Sequence, residues 1–157
     1  MNFQKMRGVM TLLCACMISF SVLAEKKTDK DGTETENGIV FEKGDWASIL
    51  KKAKASKKII FFDAYTTWCG PCKLLQKNVF TRKDVAEVFN KDFINVKFDM
   101  ESGEGLMLAE KYPLQGYPTL MFIDPDGKVV KEVLGYQKAE YLIKVAKQVQ
   151  KEETPSL

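Results

Sequence analysis

Two cysteines, Cys69 and Cys72, stand with only Gly70 and Pro71 between them in TTWCGPCK, residues 66–73. Thiols this close support three chemistries: a metal site, a fixed structural disulfide, or a cycle between dithiol and disulfide. A structural zinc site takes four protein ligands. The chain has no histidine, so zinc would need carboxylates or a second chain. A disulfide spanning two residues closes a very small loop. Such a loop removes little unfolded-state entropy, because the stabilisation grows with loop length. For the redox cycle, the pair lies between an apolar run and a helix-like stretch, which places Cys69 at a helix N-terminus. Unpaired N–H groups and the helix dipole there favour an anionic sulfur. Cys72, one turn further in, is placed to resolve a mixed disulfide. The absence of histidine also removes the commonest general base. Asp63, six residues before Cys69, lies inside the apolar stretch FFDAY. A lone buried carboxylate is held near neutrality by desolvation, where it can accept a proton. An ordinary strand-end acid is the other reading of the same residue.

The chain of 157 residues is long enough for one domain with its own core. Its 45% hydrophobic and 29% charged composition is that of a globular protein. A net charge of +3, with acids and lysines interspersed, gives no footprint for nucleic acid. Residues 1–24 read as a secretory signal: MNFQKMR is basic, GVMTLLCACMISFSVLA is apolar, and Val22 and Ala24 are small residues before a charged stretch. Cleavage is expected after Ala24. An uncleaved membrane anchor is the alternative, although the apolar run is short for a full span. A lipoprotein reading through Cys16 is weaker, because the residues after it remain hydrophobic. Cleavage removes Cys14, Cys16, Lys5 and Arg7, leaving Cys69 and Cys72 as the remaining cysteines and lowering the charge from +3 to +1. The destination is an oxidising periplasmic or secreted space. Residues 25–38 read as a polar leader, residues 39–150 as the domain and residues 151–157 as a tail.

The elements that must position the cysteines follow from periodicity. IVFEKG is expected as a short strand. Asp45 is expected to cap a helix with Trp46, Ile49, Leu50 and Ala53 on one face. KKIIFFDAY, a continuous run rich in β-formers, suits a strand buried on both faces. CKLLQKNVF is helical, with Pro71 near its start, where proline is tolerated. A second helix is expected from Thr81, with Val85, Val88 and Phe89 inward. FINVKFDM alternates as a strand, SGEGLMLAEKY is a helix ended by Pro113, and TLMFI and KVVKEVL form a hairpin across the turn DPDG. Leu142, Val145, Ala146 and Val149 mark a terminal helix. The order β-α-β-α-α-β-α-β-β-α implies an α/β fold. Its central mixed sheet has parallel early strands and an antiparallel C-terminal hairpin, flanked by helices.

WCGPCK resembles the thioredoxin active site residue for residue. Asp63 falls where that family carries a buried aspartate, and Lys97 in NVKFDM resembles the lysine beside it. GYPT, residues 116–119, is similar to the family's cis-proline loop, and Gly135 to the glycine after the last strand. The resemblance covers residues 39–149 and implies the thioredoxin fold. LLQKNVFTRKDVAEVF resembles the extracytoplasmic thioredoxin-like domains more than a cytosolic thioredoxin. Some of those domains carry a glutamate four residues past the second cysteine; this chain has Gln76, so no acid role is assigned there.

The resemblance implies a protein-disulfide reductase in which Cys69 is the nucleophile, Cys72 the resolving thiol and Cys69–Cys72 the redox disulfide. Asp63 accepts the Cys72 proton and Lys97 tunes Asp63; a solvent-facing lysine on an alternating strand is the other reading of Lys97. Trp68, Gly70, Pro71, Tyr117 and Pro118 form the client-binding surface, with Trp68 either a packing residue or a lip of the groove. Pro118 is expected cis from the resemblance, although X–Pro bonds are mostly trans. Pro125 is a turn residue only. No cofactor and no metal is implied. The partners are disulfide-containing client proteins and a membrane-spanning electron donor, and the chain is expected to be a monomer. Gly-Pro between the cysteines is the family's reducing dipeptide. A disulfide oxidase or isomerase, and a redox-silent module that only holds clients, are the alternatives.

Overall fold

A computed structural model describes residues 38–153, so the expected signal peptide, most of the leader and the end of the tail lie outside the described residues. The sequence IIFFDAY forms β1 (Ile59–Tyr65), almost wholly buried, as a β-branched and aromatic run should be when both faces are covered. It is central in a four-stranded sheet with β2 (Phe93–Asp99), β3 (Thr119–Ile123) and β4 (Val129–Leu134), in the order β2-β1-β3-β4. β1 runs parallel to β2 and antiparallel to β3, and β3 pairs antiparallel with β4. The expected parallel early strands and terminal hairpin are both present.

Alternation along β1 divides the core in two. Ile59 and Phe61 pack with α2 (Gly70–Asn78), α3 (Lys83–Asp92) and α5 (Ala139–Glu153), through Leu75, Phe89 and Leu142. Ile60, Phe62 and Ala64 pack on the other face against α1 (Trp46–Ser56) and α4 (Gly105–Lys111), through Trp46, Ile49 and Leu108. Asp63 has the parity of Phe61 and therefore faces the α2 layer. α5 continues to Glu153, past the expected domain edge. No helix among the described residues is long and apolar enough to cross a membrane.

Asp45 caps α1 as expected, accepting the Ser48 N–H at 2.7 Å. The Trp46 N–H, one of the orphan donors of that helix start, is taken by both carboxylate oxygens of Glu104 at 3.0 Å. The hairpin turn also forms as expected, with Asp124 Oδ1 accepting the Asp126 and Lys128 N–H groups at 2.9 Å.

Three expectations are corrected. The stretch IVFEKG is not a strand. Its Ile39 N–H donates to the Phe80 carbonyl at 2.7 Å and its Glu42 N–H to the Asn95 carbonyl at 2.8 Å. Its Val40 N–H goes to the Asn90 side chain at 2.9 Å. Because successive partners belong to a loop, a helix and a strand, no ladder forms; the segment is a strap held by amide side chains. Gly38, read as leader, belongs to this strap: its carbonyl accepts from Asn90 Nδ2 at 3.1 Å. The second helix starts at Lys83 rather than Thr81, whose hydroxyl instead donates back to Lys77 at 2.7 Å and finishes α2. α4 is shorter than SGEGLMLAEKY, because the chain turns through Gly103 at φ +55° before it starts.

Candidate active site

The buried β1 ends at Tyr65 and the chain turns once, with the Cys69 N–H donating to the Thr66 carbonyl at 3.2 Å. Cys69 is the N-cap of α2, and Pro71 lies in the first turn, where its missing N–H leaves no bond unmade. The two cysteines form a disulfide with their Cα atoms 5.3 Å apart. Cys69 Sγ also accepts the backbone N–H of Cys72 at 3.1 Å. That donor and the α2 dipole act on the sulfur that would become a thiolate on reduction. Both cysteines are buried, Cys69 at 2% exposure and Cys72 at 1%.

Asp63 stands directly across from Lys97 in the parallel β1–β2 register. Its side chain is buried, and neither carboxylate oxygen has a hydrogen-bond partner. Desolvation is the dominant influence and raises its pKa from 3.8 to about 7; the positive charge of Lys97 opposes it, and Gln76 opposes it further. With both oxygens unbonded, the Gln76 amide acts as a nearby dipole rather than through a formed hydrogen bond. Gln76 lies one helical turn beyond Cys72 on α2, so the same helix carries the inner cysteine and a group that senses the carboxyl. The Lys97 ammonium also lies 5.2 Å from the centre of the Phe41 ring on the strap. A buried carboxyl titrating near neutrality can take a thiol proton.

Trp68 precedes the disulfide and is 65% exposed, so it is not part of the buried core. Its indole N–H donates to Glu101 Oε2 at 2.7 Å. Its ring stands edge-on to Tyr117, with centroids 6.0 Å apart. The Tyr117–Pro118 peptide bond is cis, as the resemblance implies. The cis loop is braced by the Gly135 N–H donating to the Pro118 carbonyl at 2.7 Å, with Gly135 at φ +81°. The Thr119 hydroxyl, donating to the Gly116 carbonyl at 2.7 Å, adds a second brace. Burial, followed by the charges of Glu101 and Asp99, raises the pKa of the Tyr117 hydroxyl.

The structure thus joins the expected residues in two groups. Asp63 and Lys97 pair across β1 and β2 with Gln76 of α2 acting on the carboxyl, and Trp68 meets Tyr117 ring to ring. Sequence reasoning missed Glu101, which orients the Trp68 ring, and Glu104, which caps α1 from the same loop. Neither carries a local signal, since each acts on a residue more than thirty positions away. Gln76 was visible as a departure from related domains, but its nearness to Asp63 was not.

Residues 46–150 match the profile of the thioredoxin-like domain family. The chain belongs to the thioredoxin-like family. Thioredoxin H3 of Arabidopsis thaliana is 33% identical over 103 residues, covering 66% of this chain and 81% of that protein. The thiol-disulfide oxidoreductase ResA of Bacillus thuringiensis is 27% identical over 158 residues, covering 87% of this chain and 90% of its own. A solution structure of a Bacteroides thetaiotaomicron protein, named as a candidate disulphide-isomerase, is 44% identical with a TM-score of 0.65. The match covers 75% of this chain and 98% of that one. These likenesses place the Cys69–Cys72 pair in a thioredoxin-like thiol-disulfide oxidoreductase family.

Proposed function

We propose that the protein is an extracytoplasmic protein-disulfide reductase, cycling between a Cys69/Cys72 dithiol and the disulfide. The observation that carries this reading is the pairing of an N-capping Cys69, whose sulfur accepts the Cys72 N–H at 3.1 Å, with a buried, unbonded Asp63. In the reduced protein the Cys69 thiolate attacks one sulfur of a client disulfide, and the client's other sulfur leaves as a thiolate. Cys72 gives its proton to Asp63 and attacks Cys69 Sγ. The second client thiolate leaves and the protein disulfide closes, so the client gains two electrons and the protein loses them. Lys97 tunes Asp63 through its charge. Trp68, Gly70, Pro71, Tyr117 and Pro118 form the surface on which an extended client chain lies. A membrane-spanning electron donor returns the protein to the dithiol, no cofactor is required, and the protein works as a monomer.

The location rests on the signal-like residues 1–24 and on the likeness of LLQKNVFTRKDVAEVF to extracytoplasmic domains. The direction rests on the Gly70–Pro71 dipeptide. Cys69→Ser should abolish reduction of insulin disulfides, and Cys72→Ser should accumulate a mixed disulfide with its client. A redox-silent module would tolerate Cys69→Ser. The reduction potential decides direction: a value near −270 mV, that of thioredoxin, fits the reductase, and one above about −180 mV marks an oxidase or isomerase. The isomerase reading has the naming of the 44% identical Bacteroides structure in its favour.

A further inference from the structure

The strap at residues 39–42 lacks a strand ladder, yet its backbone is closely held. Its Val40 N–H donates to Asn90 Oδ1 at 2.9 Å, and Asn90 Nδ2 donates to the Gly38 carbonyl at 3.1 Å. Its Glu42 N–H donates to the Asn95 carbonyl of β2 at 2.8 Å, and Asn95 Nδ2 donates to the Val40 carbonyl at 3.4 Å. These bonds flank Phe41 on both sides and seat its ring against Phe80, with centroids 5.5 Å apart. The same ring centre lies 5.2 Å from the Lys97 ammonium. That is within the reach of a cation–π contact, about 6 Å. Lys97 also stands directly across from Asp63 in the β1–β2 register. An ammonium in that position can close an ion pair with a buried carboxyl. Instead both Asp63 oxygens lack a hydrogen bond, although the residue is only 1% exposed. Desolvation raises the Asp63 pKa more than the Lys97 charge lowers it. One cation is thus shared between a buried acid and an aromatic face.

We propose that Phe41 is a positioning residue of the redox site: its ring holds the Lys97 ammonium off the Asp63 carboxyl and so preserves that carboxyl as a proton acceptor. The catalytic meaning of this role rests on the reductase reading, in which Asp63 takes the Cys72 proton. A cation held over a π face stabilises the carboxylate less than one bonded to it, and a less stabilised carboxylate binds its proton more tightly. The strap thereby acts on the proton acceptor without touching either cysteine. Elsewhere around Asp63, α2 presents the uncharged Gln76, and the β3 partner is Leu120. Around Lys97, α2 brings Lys73 and Lys77 to the same concavity. Asp99 lies two residues further along β2, in register with Tyr65. A change confined to Phe41 leaves all of these groups in the chain.

Titration of the oxidised protein, followed by the carboxyl carbon-13 shift of Asp63, tests this role. The parent midpoint is expected at about 7. Phe41→Leu keeps an apolar side chain on the strap but removes the π face. It should lower the midpoint by about 0.5, as the released ammonium moves toward the carboxylate. Phe41→Tyr restores a π face and should hold the midpoint at the parent value. In a Lys97→Gln background there is no ammonium to release, so adding Phe41→Leu should leave the midpoint unmoved. Asn90→Ala, at an exposed position, loosens the strap without altering the ring and should also lower the midpoint. It decides the matter if Phe41→Leu does not fold. An unmoved or raised midpoint in Phe41→Leu, an equal fall in Phe41→Tyr, or a fall that persists without Lys97 would overturn the role of Phe41. The titration involves no thiol chemistry. Its failure leaves the reductase reading standing, and failure of insulin reduction leaves the role of the strap standing.

Discussion

Asp63 carries an electrostatic cost at the centre of the fold. Its carboxyl is buried on the Phe61 side of β1, and its pKa rises from 3.8 to about 7 because desolvation outweighs the pull of Lys97. The folded protein therefore keeps this proton over a range in which the unfolded chain has released it. The native state binds more protons between about pH 4 and pH 7, so this group's contribution makes stability fall as pH rises through that window and level off above it. The gap between 3.8 and about 7 corresponds to about 4 kcal/mol of penalty once Asp63 is ionised. Asp63→Asn should raise the urea midpoint strongly near pH 8, by ~2–4 kcal/mol of stability, and change it little near pH 4. A variant equally stable or less stable than the parent at pH 8 would show that the carboxyl is solvated in solution. The same variant should slow closure of the disulfide from the mixed intermediate, since in the proposed cycle Asp63 takes the Cys72 proton. A residue kept against its own stability interest is one that sequence reading can find, because an acid in FFDAY breaks an otherwise apolar run. Glu101 could not be found that way. It sits among other acids in ESGE, and only the fold brings it to the Trp68 indole at 2.7 Å.

At the scale of elements, legibility followed hydrogen-bond locality. β1 and β3 read correctly because their burial is written in continuous apolar runs, and α1 and α5 because their spacing is helical. The strap at residues 39–42 was misread because a β-like sequence says nothing about whether a ladder partner exists. Asn90 and Asn95 hold it instead, and amide side chains give no periodic signal. The short α4 was overestimated for the same kind of reason. Its start is fixed by the approach of Gly105 to the end of β2, where a Cβ would overlap the Asp99 carbonyl. No propensity scale contains that contact. Gly105→Ala should accordingly destabilise the protein by about 1–3 kcal/mol, the usual cost of overpacking, although alanine is the better helix former. The Gly105 N–H donates to the Ser102 carbonyl at 3.0 Å, closing the turn that follows Glu101. The variant should therefore also alter the emission of Trp68. A neutral or stabilising effect in urea would mean that the loop relaxes freely and that α4 is set by propensity after all.

For the whole molecule, the direction of the redox cycle can be read from folding stability without any client. Oxidised and reduced forms close a thermodynamic cycle, so the difference in their stabilities equals the difference in how readily the folded and unfolded chains are reduced. Opposing groups at the site set the sign. The Cys72 N–H and the dipole of α2 favour a Cys69 thiolate and hence the dithiol. Burial of both sulfurs and, above pH 7, the negative charge of Asp63 disfavour a thiolate and hence favour the disulfide. In a strong oxidant the first set wins and the reduced form is the more stable; in a thioredoxin-like reductant the fold favours the disulfide. With no histidine in the chain to add positive charge beside the sulfur, and with an unbonded carboxyl buried on the face of β1 that packs against α2, the second set should win here. The oxidised protein should then melt above the reduced one, by roughly 4 °C for each kcal/mol of difference. Each 30 mV separating the folded from the unfolded potential corresponds to about 1.4 kcal/mol. Asp63→Asn should narrow the gap at pH 8 by removing the charge that opposes the thiolate. Calorimetry of the two forms measures this directly, and a reduced form that melts higher would overturn the reductase reading whatever its activity on insulin.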